Sequence, residues 1–271
     1  MKTSAHMMIV ALLLWCGASA GGQAARAPTS NGSSTTVLVV SGISRDPSDQ
    51  TARKQAVSTL REHLLKEMNV EPRRVVVLAG DGQEGATAAR IGETIRTLAQ
   101  AIRPEDRFIF YYLGQANAVN GELRFNLPGP DMTHSELAER LKAIKAGTQL
   151  VVLDCPCAGL AAKALTADHR IIVCASMAAQ VFATRFTTHF VQALAAPETD
   201  ADNNGKITLL EAFTAAARQV EQWYREKAVL ATETPCLEDD GDGTPSERPW
   251  KHEAEGGDGA KAAASILAER H

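Results

Sequence analysis

The sequence predicts an α/β fold, a doubly wound and mostly parallel sheet with helices on both faces. Three observations carry that prediction. Runs of consecutive apolar residues at 37–40, 75–78, 108–112, 150–153 and 171–175 have the pattern of strands covered on both sides. Between them lie segments whose apolar residues recur every three or four positions, so strand and helix alternate as parallel strands with right-handed crossovers require. A chain of 271 residues with 45% apolar content is also long enough to bury a full core.

The elements follow in order. The first strand, 37–40, ends at Ser41-Gly42, and Arg45 stands in the loop behind it. From Gln50 to Met68, Ala52, Ala56, Val57, Leu60, Leu64 and Met68 recur at helical spacing, with Arg53, Lys54, Arg61 and Glu62 mostly opposite. The second strand runs into Ala79-Gly80-Asp81-Gly82, which lacks the glycine pattern of a nucleotide-phosphate cradle. Ala88, Ile91, Ile95, Leu98 and Ile102 line a second helix that Pro104 ends. After the third strand, Asn120-Gly121 between two short alternating runs predicts an inserted hairpin. A helix over 135–144, the strand at 150–153, a short helix over 158–165 and the strand at 171–175 come next. Phe186, Phe190 and Leu194 then mark the apolar face of another helix.

Composition excludes some functions. The net charge is -4 and the basic residues are scattered among acids, which leaves no basic stripe for a phosphate backbone, so nucleic acid is not an expected partner. Lys2, an apolar run from Met7 to Trp15 and Ala18-Ser19-Ala20 read as a secretory signal over residues 1–20, too short for a membrane span. Bulky Trp15 before Cys16 argues against a lipoprotein signal. Residues 21–35, rich in Ser, Gly and Thr, read as a flexible leader. Export to the periplasm or the medium is therefore expected, with no transmembrane segment in the mature chain. Cys155, Cys157, Cys174 and Cys236 remain after cleavage, an even number that permits disulfides in an oxidising compartment. Cys155 and Cys157, two apart at a strand end, are poorly placed to pair with each other.

Two strand ends carry a resemblance. Arg-Phe-Ile-Phe-Tyr-Tyr-Leu-Gly-Gln-Ala at 107–116 and Leu-Val-Val-Leu-Asp-Cys-Pro-Cys-Ala-Gly at 150–159 resemble the two catalytic strands of the caspase-like and legumain-like cysteine peptidases. In those peptidases the first strand ends in Tyr-Ser-Gly-His-Gly and the second in Asp-Ala-Cys-His-Ser-Gly. The resemblance implies that the histidine position is held by Gln115 and the nucleophile position by Pro156. Glutamine does not titrate near neutral pH and proline carries no nucleophile, so the dyad is degenerate and a pseudopeptidase serving as a binding or scaffold module for a peptide or protein is expected. The alternative is an active cysteine endopeptidase in which Cys157, displaced by one residue, attacks. The resemblance also suggests Arg45 as a substrate-binding residue, by analogy with a similarly placed arginine of caspases. Asp154 reads as a cap for the helix that follows it.

The most specific local motif lies elsewhere. Residues 200–211, Asp-Ala-Asp-Asn-Asn-Gly-Lys-Ile-Thr-Leu-Leu-Glu, match the EF-hand calcium loop position by position. Asp200, Asp202 and Asn204 supply side-chain oxygens, Gly205 the turn, Lys206 its carbonyl, Thr208 a direct or water-mediated ligand and Glu211 the closing carboxylate. Thr208 and Glu211 also form a capping-box pattern for the next helix. The acidic run at 238–243 does not complete a second EF-hand and reads as an exposed loop or a non-standard ion site. The main domain is expected over 36–245, followed by a C-terminal tail over 246–271 with a short alanine-rich helix or frayed end.

Overall fold

The computed structural model describes residues 33–44, 46–80 and 85–270. The signal over 1–20, most of the leader and Arg45 lie outside the described residues. The central sheet uses β1 (Thr35–Ser41), β2 (Val75–Leu78), β3 (Arg107–Leu113), β7 (Thr148–Asp154), β8 (Arg170–Cys174) and β10 (Cys236–Glu238), arranged β10-β8-β7-β3-β1-β2. Every pairing is parallel except β10 against β8. Among the parallel strands the winding reverses between β1 and β3, the switch point of a doubly wound sheet, so ligand crevices are expected beyond the carboxyl ends there. Helices α1 (Pro47–Lys66), α5 (Phe186–Ala195) and α6 (Leu209–Lys227) cover one face. Helices α2 (Ala88–Ala99), α3 (His134–Leu141) and α4 (Ala162–Leu165) cover the other.

The apolar runs are strands because both their faces are buried. Val37 and Val39 enter one core while Leu38 and Val40 enter the other, and Ile109 and Tyr111 are divided from Phe108, Phe110 and Tyr112 in the same way. The predicted hairpin is present as β4 (Ala116–Val119) and β5 (Glu122–Phe125), with Asn120 and Gly121 both at positive φ as a two-residue turn of this kind demands. It is extended by the two-residue β6 (Met132–Thr133) into a three-stranded antiparallel excursion.

Three local expectations are corrected. Arg53 does not face solvent: it is in phase with Val57, Leu60 and Leu64 on the buried side of α1, and Ala52 is the exposed residue. Ser34 already belongs to the fold, with its backbone N–H and hydroxyl donated to Asp106 at 3.0 and 2.7 Å. In the stretch from Ser246 onward the short alanine-rich helix is present, as one of the two alternatives expected, and the end after it is not frayed but packed. Helix α7 (Ala260–Ala264) buries Ala262, and β11 (Ile266–Glu269), which buries Leu267 and Ala268, pairs antiparallel with β9 (Lys206–Thr208). The reason is apolar area: Ala262, Leu267 and Ala268 complete the core under α5 and α6.

Candidate functional site

Register brings the two singled-out strand ends together. Leu113, last of β3, is the pairing partner of Asp154, last of β7, and Gln115 lies two residues further on. The turn is held open by Tyr112, whose hydroxyl donates to the Gln115 carbonyl at 2.7 Å; a Cβ at Gly42 or Gly114 would collide with that hydroxyl. Gln115 and Asp154 line a crevice of about 160 Å³, together with Asp49 and Arg53 of α1, and Arg185 and Thr187 at the start of α5.

Asp154 is 7% exposed. Its Oδ2 accepts from the Thr187 N–H at 2.8 Å and from the Thr187 hydroxyl, which also bonds the Tyr111 hydroxyl at 2.9 Å. Asp154 therefore caps α5, across the crevice, and not the helix that follows it in sequence. Burial and then the Asp154 charge push the Tyr111 hydroxyl far up, so it stays a neutral donor. The Oδ1 of Asp154 is buried without a hydrogen-bond partner, and so is Nη1 of Arg53, whose other terminal nitrogen is ion-paired with Asp49.

Pro156 and Cys157 do not line this crevice. Cys155-Pro156-Cys157 forms a turn into a short 3-10 helix, with Cys157 at φ +56°, its N–H donating to the Gln180 carbonyl at 2.7 Å. The Ser176 hydroxyl takes the Ala158 N–H at 3.2 Å and donates to the Cys155 carbonyl at 2.9 Å, which pins the turn from below. Cys157 is 1% exposed and Cys155 is wholly buried. Burial raises the Cys157 thiol and no charged neighbour lowers it; the Cys155 thiol is pushed up by burial and by Asp154. A nucleophilic cysteine needs the opposite, a depressed pKa beside a cation or imidazole. His134 accepts from the Leu123 N–H and His169 bonds Gln149 at the amino end of the sheet, so neither serves as a base here. All four cysteines of the described residues are unpaired, although Cys174 and Cys236 face each other across β8 and β10.

Sequence reasoning missed the crevice wall. Arg185 donates from Nε to Glu233 at 2.9 Å and stacks 3.5 Å from the centroid of the Trp223 ring, and Tyr224 donates its hydroxyl to the same carboxylate at 3.2 Å. Burial pushes Glu233 up to about 7, more than these partners pull it down. Arg185 and Glu233 are 48 residues apart with no motif joining them, so only the fold could reveal the pair. A larger cavity of about 410 Å³ opens at the ends of β1 and β2, where Ser41, Gln50, Lys54 and again Arg53 line it.

In the 200–211 loop the acidic side chains fold back onto the loop's own backbone. Asp200 Oδ1 and Asp202 Oδ1 both accept from the Asn204 N–H, Asp200 Oδ2 from Gly205, and Asn204 Oδ1 from Lys206. Gly205 takes φ +78°, and Ile207 is fully buried beneath the loop. Glu211 reaches back across it, with Oε1 accepting from the Ala201 N–H at 2.9 Å and Oε2 from the Thr208 N–H at 2.9 Å, and it completes the capping box of α6. Carboxylate oxygens of Asp200, Asp202 and Glu211 lie within 4.8 Å of one another. Among the described residues no basic side chain forms an ion pair with them. The donor set is all oxygen, which suits a hard divalent cation.

Comparison with solved structures bears on the fold. Caspase-1 of Spodoptera frugiperda superposes with a TM-score of 0.52 over 76% of this chain and 86% of that one, at 11% sequence identity. The fold is caspase-like. A protein of Geobacter sulfurreducens (TM-score 0.49, 13% identity, 75% and 92% coverage) and the Drosophila initiator caspase Dronc (0.46, 10%, 69% and 72%) are also similar. No family model matches the sequence. No curated protein matches it either. At these identities the caspase-like likeness is one of fold, and chemistry has to be read from Gln115, Asp154, Pro156 and Cys157 themselves. No described helix is long and apolar enough to cross a membrane.

Proposed function

We propose that this chain is an exported, calcium-binding pseudopeptidase of caspase-like fold that acts as a binding module for a peptide or protein segment. The observation that carries the reading is Cys157: the thiol next to the lost nucleophile position is buried, raised in pKa and outside the crevice that Gln115 and Asp154 line. Without a thiolate and a base, acyl transfer has no starting point. The crevice nonetheless keeps recognition chemistry. Asp154 Oδ1 offers an acceptor to a cationic group, and Val181 and Phe182, 62% and 60% exposed, stand in the segment that leads into the crevice wall at Ala183. In the loop at 200–211 a calcium ion held by Asp200, Asp202, Asn204, Lys206, Thr208 and Glu211 would fix α5 against α6.

The test is selection from a random peptide library with the mature protein in calcium, alongside incubation with a thiol-directed acyloxymethyl ketone. Peptides are expected to bind without cleavage, Asp154→Asn to lose those with a basic residue, and Cys157 to remain unlabelled. Peptide turnover that Cys157→Ala abolishes would instead establish the endopeptidase.

A further inference from the structure

Cys174 and Cys236 meet at the edge of the central sheet. Cys174 is the last residue of β8 and Cys236 the first of β10, and the antiparallel register sets them directly opposite each other. Leu237, the next residue of β10, turns its N–H and carbonyl away from β8, to Ser246 at 2.9 and 2.8 Å. Backbone groups alternate sides along a strand, so Cys236 turns its own toward β8 and forms a hydrogen-bonded pair of the ladder with Cys174. The α-carbons of such a pair stand about 5.5 Å apart, within the span of a disulfide. The β-carbons of opposite residues stand about 4.5–5.5 Å apart, so closing the bond draws the strands together by about 1 Å, which a three-residue edge strand can take up. Both side chains are fully buried in the same core. There the two thiols hydrogen-bond each other, and Cys236 Sγ lies 4.0 Å from the Ser176 carbonyl. Cys155 and Cys157 have no such opposite number, since Cys155 follows the end of β7 and Cys157 takes φ +56° in the turn after it.

We propose that Cys174 and Cys236 are a disulfide pair that staples the antiparallel edge strand β10 to the parallel sheet, and that the structure holds its dithiol form. The oxidant is another disulfide, of a small thiol such as glutathione or of a protein. The Cys236 thiolate attacks one sulfur of that disulfide and expels one thiolate; the Cys174 thiolate then attacks Cys236 Sγ and expels the second. The protein loses two electrons and two protons, and the oxidant leaves as two thiols. Because both sulfurs are shielded from solvent, exchange goes through chains in which β10 is not yet docked or has opened. The bond would close a loop, 174–236, that contains α5, the calcium-loop motif and α6. Glu233 stands three residues before Cys236, so the staple would also hold the crevice wall that Glu233 forms with Arg185.

Incubation of the full mature chain with oxidised glutathione tests this, in urea just below the unfolding transition, where a short edge strand opens most readily. After denaturation, alkylation and digestion without reductant, mass spectrometry should show one cross-linked peptide joining Cys174 to Cys236, with Cys155 and Cys157 alkylated. The cross-linked form should melt about 10 °C above the dithiol form, because the bridge closes a long loop in the unfolded chain. Cys174→Ala/Cys236→Ala should melt at one temperature with or without the glutathione treatment. Four alkylated cysteines, a cross-link through Cys155 or Cys157, equal melting of the two forms, or a shift that persists in the double variant overturns the staple. Glutathione supplies the oxidant in this experiment, so its outcome is independent of the export and calcium readings.

Discussion

The backbone N–H of Arg270 donates to the carbonyl of Gly205 at 2.7 Å, which ties the last described residue of the chain to the sharp turn of the 200–211 loop. The Arg270 side chain reaches further, giving Nη1 to the Ala195 carbonyl at 3.0 Å and Nη2 to those of Leu194 and Ala196 at 3.1 and 2.8 Å. The Leu194 and Ala195 carbonyls lie in the last turn of α5, where intrahelical donors run out and a cation is favoured; the Ala196 carbonyl, just past the helix, also accepts from the Thr199 N–H at 3.1 Å. One residue thus holds both the helix entering the loop and the turn within it. Arg270→Ala should cost about 2 kcal/mol of stability, the range of charge-assisted hydrogen bonds. Urea unfolding with and without calcium checks this; no loss in either condition would show the cap to be idle.

Calcium in the 200–211 loop predicts a melting temperature that depends on the ion. Saturation a hundredfold above the dissociation constant stabilises by about 2.7 kcal/mol. Chelator should lower the melting temperature accordingly, and Glu211→Gln should remove most of the difference. A melting curve indifferent to both chelator and Glu211→Gln would exclude the ion from this loop.

How much of this was legible in the sequence follows from how local each cause is. The parallel strands were readable because burial on both faces leaves an apolar run, and the capping box at Thr208 and Glu211 because its two members stand at a fixed spacing. Strand β10 was not, since three residues at a sheet edge, ending in the buried acid Glu238, leave no such run. Arg53 was placed on the wrong side of α1 because Ala52 and Ala56 mimic an apolar stripe one position away. The crevice wall was invisible because Arg185, Glu233 and Asp154 meet through tertiary packing alone.

Glu233 makes stability depend on pH. Its folded pKa of about 7 exceeds the ordinary 4.5, so between those values the folded state holds a proton that the unfolded state has released. Stability therefore falls as pH rises from about 4.5 to about 7, and this one residue contributes a drop of about 3 kcal/mol. Glu233→Gln should flatten that part of the profile, measured by urea unfolding at half-unit steps. A profile of unchanged slope would mean that the Arg185 pairing keeps Glu233 ionised throughout.

Thr187→Val probes the capping of α5. Valine keeps the shape and the backbone N–H at 2.8 Å but removes the hydroxyl that Asp154 Oδ2 and Tyr111 share. The Tyr111 hydroxyl then lacks a partner and Asp154 Oδ2 keeps only the backbone N–H, a loss of about 1–3 kcal/mol. Asp154→Ala combined with Thr187→Val should cost less than the sum of the single changes, because each removes the same bond. Strict additivity in that double-mutant cycle would contradict the contact between Thr187 and Asp154.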